Sequence, residues 1–114
     1  MRIHLKISLA SERGEPFMGI GLVWLLREVA ARGSISRASE EMGLSYSKAL
    51  KIVNRLEKNL GRKLLIRKHG GCDRGGASLT PFGKKFIDEY DRMQAAVKNA
   101  AEKEFTRFRQ RIKI

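Results

Sequence analysis

Only one cysteine, Cys72, stands among the 114 residues, so no internal disulfide can form. A lone thiol suits a reducing cytosol. Imidazole comes only from His4 and His69. His69-x-x-Cys72 offers two ligands where a zinc site needs at least three, so we expect no metal and no cofactor. Long apolar runs are missing too. The longest apolar patch, Ile20 to Leu26, is interrupted by Gly21 and is far too short to span a bilayer. The start, MRIHLKISLASERGEPF, alternates and lacks the apolar centre of a signal peptide. We therefore expect a cytoplasmic protein with no membrane partner. Acidic groups are scarce, and Glu40-Glu41 reads as a solvated helix edge, not an acid/base pair. GGCDRGG at 70–76 lacks the GxxxxGK[ST] spacing of a phosphate-cradling loop. Basic neighbours of Cys72 leave a redox thiol as an alternative. No constellation for catalysis emerges, and we expect no enzyme.

Positive charge is abundant. Lys+Arg number 24 against 12 Asp+Glu, a formal net charge of +12. The excess is +2 over residues 1–33, +6 over 34–80 and +4 over 81–114. A basic surface of this size favours polyanions, which leaves nucleic acid, anionic membrane and ribosomal RNA open. The length fits one domain, and 42% hydrophobic residues with clear periodicity argue against disorder.

Ile3, Leu5, Ile7 and Leu9 alternate with polar residues, predicting a half-buried strand; a turn around Gly14 and a return strand from Glu15 to Met18 would complete a hairpin. From Gly19 the period becomes helical, with Ile20, Val23, Trp24, Leu26, Val29 and Ala30 as apolar positions and Gly33 as C-terminal cap. Ser36 is expected to cap a helix running to about Met42, which Gly43 ends. Ser45 caps the next helix, whose buried face would be Ala49, Ile52, Val53, Leu56 and Leu60 before Gly61. Lys63 to Lys68 and Ala77 to Leu79 read as two strands around glycines 70, 71, 75 and 76. Thr80-Pro81 then opens a helix of about thirty residues, roughly 45 Å long.

The span from Gly33 to Thr80 has the order of a helix-turn-helix followed by a basic hairpin. In such a motif the second helix presents its N-terminal end to base edges. Ala38 is small enough for close helix approach, while Tyr46, Ser47, Lys48, Leu50, Lys51 and Arg55 fall on or near the outer face. Ser47 and Lys48 can donate to bases or phosphates, with Lys51 and Arg55 at phosphate-reaching spacing. Ser36, Ser45 and the free N–H groups of the helix start add to this surface. In the hairpin, Arg67, Lys68, His69 and Arg74 would touch phosphates or the minor groove. A solvated basic helical pair with a plain surface hairpin is the bland alternative.

GSISRASEEMGLSYSKALKIVNRLEKNLGRKLLIRKHGG and GGASLTPFGKKFIDEY resemble the N-terminal winged-helix domain of the molybdate-responsive ModE regulators, and more distantly the DNA-binding domain of LysR-type regulators. The resemblance covers about residues 17–95; GSIS at 33–36, MGLSY at 42–46, the GG…GG wing at 70–76 and LTPFG at 79–83 are its most specific pieces. It implies transcription regulation, with the helix from Ser45 in the major groove and the helix after Pro81 building a dimer. Full-length ModE proteins carry further C-terminal domains that bind molybdate; this sequence ends at Ile114, and those domains are expected to be absent.

Along the last helix, Phe86, Tyr90, Met93, Val97, Phe105 and Phe108 form a stripe longer than one small core can cover, so we expect a homodimer. The fold class expected is mainly α with small β hairpins: a winged helix-turn-helix at 1–80 with its N-terminal strand hairpin, and a long C-terminal dimerisation helix at 81–114 in the same compact domain. Two readers about 34 Å apart would bind an approximately palindromic site on double-stranded DNA. A nonspecific architectural nucleic-acid binder and a protein-interaction module are the alternatives.

Overall fold

A computed structural model describes residues 1–68 and 76–114. The elements run β1 (Leu9–Ala10), β2 (Pro16–Met18), α1 (Ile20–Arg32), α2 (Ile35–Glu41), α3 (Tyr46–Leu60), β3 (Leu65–Arg67), β4 (Ala77–Leu79) and α4 (Pro81–Ile112). Two antiparallel pairs, β1–β2 and β3–β4, flank the helices. The expected class, mainly α with a winged helix-turn-helix and a long last helix, is what the chain adopts. The tip of the second hairpin, with His69, Cys72 and Arg74, lies outside the described residues.

The core is built where α1, α2 and α3 converge. Val23, Leu25, Leu26 and Val29 meet Ile35 and Ala38 from α2 and Ala49, Val53 and Leu56 from α3. Leu64, Leu65 and Ala77 close it from the second hairpin, and Ile87 and Tyr90 from α4. Trp24 departs from its expected place, being 57% exposed. The core-facing stripe of α1 is Leu22, Val23, Leu25, Leu26 and Val29, and a residue between positions 23 and 25 falls on the opposite side of the helix. Ala30 is likewise exposed.

The strand expected over residues 3–9 is mostly not one. Its ladder holds only Leu9 opposite Met18 and Ala10 opposite Pro16, with an irregularity between them. β2 is short, proline supplies no N–H, and the chain enters α1 at Ile20, so nothing remains to pair with residues 3–8. That segment runs beside α4 instead. Leu5, Ile7 and Leu9 are half-buried, and Tyr90 Oη donates to Ile7 O at 2.9 Å.

Thr80 joins the wing to α4 as its sequence promised. Its hydroxyl accepts from Gly83 N at 2.9 Å and donates to Lys63 O at 2.8 Å. Gly83 is buried there, and a Cβ at that position would stand 2.5 Å from Leu64 O. Only glycine lets α4 approach the wing root so closely. Beyond Gln94 no residue of the helix is buried; Ile3 to Leu5 lie beside it near Lys98, Ala101 and Glu102, and the chain has a long axis of 61 Å against 29 and 23 Å.

Candidate nucleic-acid interface

Between α2 and α3 the chain must turn within four residues while keeping both helices on the core. Gly43, at φ 70°, takes the left-handed conformation that this turn needs. Leu44 N then donates to Ser39 O at 2.8 Å, closing it. Ala38 is fully buried, the small residue that lets α2 and α3 approach. The cap of α2 is Ser34, not Ser36: its hydroxyl accepts from Arg37 N at 3.0 Å. The helix starts early because Ile35, with no exposed surface, must join the core. Ser36 sits inside the first turn, half-buried, and its carbonyl accepts from Ser39 Oγ at 2.8 Å.

Ser45 caps α3 as expected, accepting from Lys48 N at 3.2 Å. Its inward face is Ala49, Val53, Leu56 and, unexpectedly, Glu57. Tyr46 and Leu50, expected near the outer face, are half-buried against the core. Ser47, Lys48, Lys51, Asn54, Arg55 and Lys58 are exposed. Ser47, Lys51, Asn54 and Lys58 follow at steps of four, three and four, one continuous line on the helix surface. Arg55 lies to one side of it: Nη2 reaches Pro16 O at 3.4 Å and Glu15 Oε2 at 4.0 Å, facing the first hairpin.

On the other side stands the wing. β3 pairs with β4 through Leu65–Leu79, Ile66–Ser78 and Arg67–Ala77, and Ala77 N donates to Gly33 O at 2.7 Å. Glu57 fixes the root of this pair to α3. Its carboxylate, 6% exposed, accepts from Leu64 N at 2.8 Å and Leu65 N at 3.2 Å. Lys63 Nζ at 3.6 Å and Arg67 Nη2 at 4.0 Å supply countercharge, so the buried anion is paired. Arg67 Nη2 also donates to Asn54 Oδ1 at 2.9 Å. Lys68 is exposed, while its backbone N–H is held by Gly76 O at 3.1 Å. A shallow depression of about 310 Å³, lined by Asn54, Glu57, Lys58, Gly61, Arg62 and Lys63, lies between the end of α3 and the wing root.

Sequence reading passed over Asn54 and Glu57, and both had signals. Asn54 is three residues past Lys51 and seven past Ser47, which sets it on their line. Glu57 is a lone carboxylate beside Leu56, one turn before the helix ends at Gly61. An anion there opposes the helix dipole and needs donors from elsewhere.

α4 has two different halves. Gly83, Ile87, Tyr90 and Gln94 are buried in the chain's own body. Tyr90, expected on the dimer face, is thus internal, and burial pushes its phenol pKa up. Phe86 is half-buried beside Phe82, with ring centres 6.0 Å apart. Met93, Val97 and Phe108 are exposed at 37%, 41% and 50%. Phe105 is half-buried and stacks on Phe108 at 6.4 Å.

The model for the bacterial regulatory helix-turn-helix proteins of the LysR family matches residues 22–84, from α1 through the cap and first turn of α4. The chain belongs to the LysR family. Among curated relatives, the molybdenum-pterin-binding protein MopB of Rhodobacter capsulatus is 40% identical over 86 residues, covering 75% of this chain and 32% of MopB. The transcriptional dual regulator ModE of Escherichia coli K12 is 37% identical over 67 residues, covering 59% of this chain and 26% of ModE. The chain thus spans about a third or less of the length of these relatives. The CbnR DNA-binding domain, crystallised as a complex with DNA, shares the fold with a TM-score of 0.59 and 23% identity, over 76% of this chain and 94% of that one. Among the described residues of this LysR-family chain, no group of three or more His, Cys, Asp or Glu is placed to hold a metal, and no helix is long and apolar enough to cross a membrane.

Proposed function

We propose that this chain is a cytoplasmic, noncatalytic transcription regulator that reads duplex DNA as a homodimer. The observation that carries the reading is the exposed line of Ser47, Lys51, Asn54 and Lys58 on α3. Its opposite face is buried, and its flank is formed by a wing bearing Arg67 and Lys68. A convex helix with donors along its outer face fits the major groove, and a basic strand pair beside it suits the flanking backbone or minor groove. Ser36, Ser45, Tyr46 and Lys48 stand at the end of the motif that meets the duplex first. His69 and Arg74 extend the wing by sequence, and Arg55 is left a phosphate contact near the first hairpin. Family membership, and a fold shared with a domain crystallised on DNA, support the same reading.

The dimer is read from the outer half of α4. Val97, Phe105 and Phe108 lie past the last buried position of α4, with Met93 exposed at its border, and a second copy of that helix would cover them. Selection of bound sequences from random duplex DNA, at two salt concentrations, tests the whole reading. The expected product is an approximately palindromic sequence, with half-sites about one helical turn apart. Lys48→Ala or Ser47→Ala should weaken binding to it more than to random DNA. A specificity ratio near one with a steep salt slope would make the protein an architectural binder. No shift at low salt, with partner binding intact, would make it a protein-interaction module.

A further inference from the structure

Asn54 and Arg67 come from different elements, the middle of α3 and the first strand of the wing, yet they meet at 2.9 Å. A guanidinium has donors only, so the amide must turn its oxygen toward Arg67. That fixes the rest of the group. The two N–H donors of Asn54 Nδ2 project away from Arg67, and they have no acceptor among the described residues. Arg67 is in turn held in place, because its strand begins where Leu64 and Leu65 are bonded to the buried carboxylate of Glu57. Lys58, Arg62 and Lys63 line the same depression as the amide, with the Glu57 carboxylate already paired, and Lys51 lies one turn earlier on α3, a net basic setting that draws polyanions to an exposed donor pair.

We propose that Asn54 is a contact residue of the reading surface, oriented by Arg67, which donates through Nδ2 to a hydrogen-bond acceptor of the duplex. The acceptor is a base edge in the major groove, such as guanine O6 or N7 or thymine O4, or a phosphate oxygen. Arg67 couples the wing to the recognition helix, so the two engage DNA as one unit. This inference rests on the DNA-binding reading above and adds a residue and its orientation to it.

The experiment measures affinity of the full chain, N54A, R67A and the double variant, on the duplex selected by the wild type and on random duplex, and repeats the selection with N54A. Asn54 is exposed and alanine is the better helix former, so N54A should unfold at or above the wild-type temperature. N54A should weaken binding to the selected duplex by about fivefold to a hundredfold. That loss should shrink at least about threefold when Arg67 is already alanine, since the orienting partner is gone. A base acceptor appears as one lost preference per half-site in the repeated selection; a phosphate acceptor appears as an equal loss on both duplexes. Wild-type binding by N54A on both duplexes, or losses that multiply independently in the double variant, would overturn the proposal while leaving DNA binding intact. A wild-type chain that shifts no duplex would sink both.

Discussion

Helices α3 and α4 are both amphipathic, but they leave opposite faces uncovered. α3 turns Ala49, Val53 and Leu56 into the core and keeps Ser47, Lys51, Asn54 and Lys58 outside. α4 does the same only as far as Gln94; past it, Val97, Phe108 and Ile112 are exposed at 41%, 50% and 46%. An uncovered polar face on a helix costs nothing in water and is available to a polyanion. An uncovered apolar stripe on a protruding helix is a surface that a second apolar surface stabilises by about 25 cal/mol per Å² removed from water. In the proposed function the two helices would serve two kinds of partner, DNA for one and a second copy for the other.

The sharpest way to break that contrast is to give the outer half of α4 the surface character of α3. Val97→Glu leaves the buried core untouched, because residue 97 lies beyond the last buried position, Gln94, and is 41% exposed. If the stripe is the dimer seam, sedimentation velocity should show monomer where the wild type shows dimer. Affinity for a two-half-site duplex should fall about a hundredfold or more, as the second half-site is no longer tethered. Affinity for a single half-site should stay within about twofold of the wild type. A variant that sediments like the wild type would place the seam elsewhere.

A smaller effect is expected where the two helices are joined through the wing. Gly83 sits under Leu64 O, and an added Cβ at 2.5 Å has backbone in front of it, which cannot yield as a flexible side chain would. Gly83→Ala should lower unfolding free energy by about 1–3 kcal/mol, the range for overpacking a well-filled site, against a small gain in helix propensity. Chemical denaturation measures it. Leu64 and Leu65 bond to Glu57 on α3, so the displaced α4 should disturb the wing as well as its own dimer geometry. A neutral result would mean that α4 and the wing root move apart freely, and the contrast between the helices would then be one of independent parts.

Much of the reading half was legible because it depends on local chemistry. Ser45 and Thr80 cap their helices as their hydroxyls and positions promised, and Gly33, Gly43 and Gly61 take positive φ where the helices end. The cap of α2 was misplaced by two residues, since the burial of Ile35 outranked the local appeal of Ser36. What could not be read lies in contacts between elements. The pairing of Asn54 with Arg67 and the ties of Glu57 to the wing join residues 7–13 positions apart through a turn whose geometry no period encodes. Residues 3–8 failed for a related reason: alternation predicts a half-buried strand, and Leu5 and Ile7 are half-buried, but only its neighbours decide whether a ladder forms. Tyr90 followed the stripe of α4 in sequence, yet that segment covers it.

That last contact supplies the smallest expected effect and separates the inner half of α4 from the outer. Tyr90 is 3% exposed and its hydroxyl donates to Ile7 O at 2.9 Å, so it anchors the N-terminal segment to the helix. Tyr90→Phe keeps the ring and removes the donor, and should cost about 0.5–1.5 kcal/mol. Faster hydrogen exchange should be confined to residues near Ile7, and the sedimentation of the dimer should not change. The pH dependence carries a sign. Burial raises the phenol pKa in the folded chain, so folding favours the protonated form. That contribution is fully present below the ordinary tyrosine value of about 10 and is lost as pH rises through the raised value. The wild type's advantage over Tyr90→Phe should therefore be constant near neutrality and shrink only in alkaline solution. If Tyr90→Phe instead shifted the monomer–dimer balance as Val97→Glu is expected to, the division between an inner half of α4 that serves its own chain and an outer half that serves a partner would be wrong.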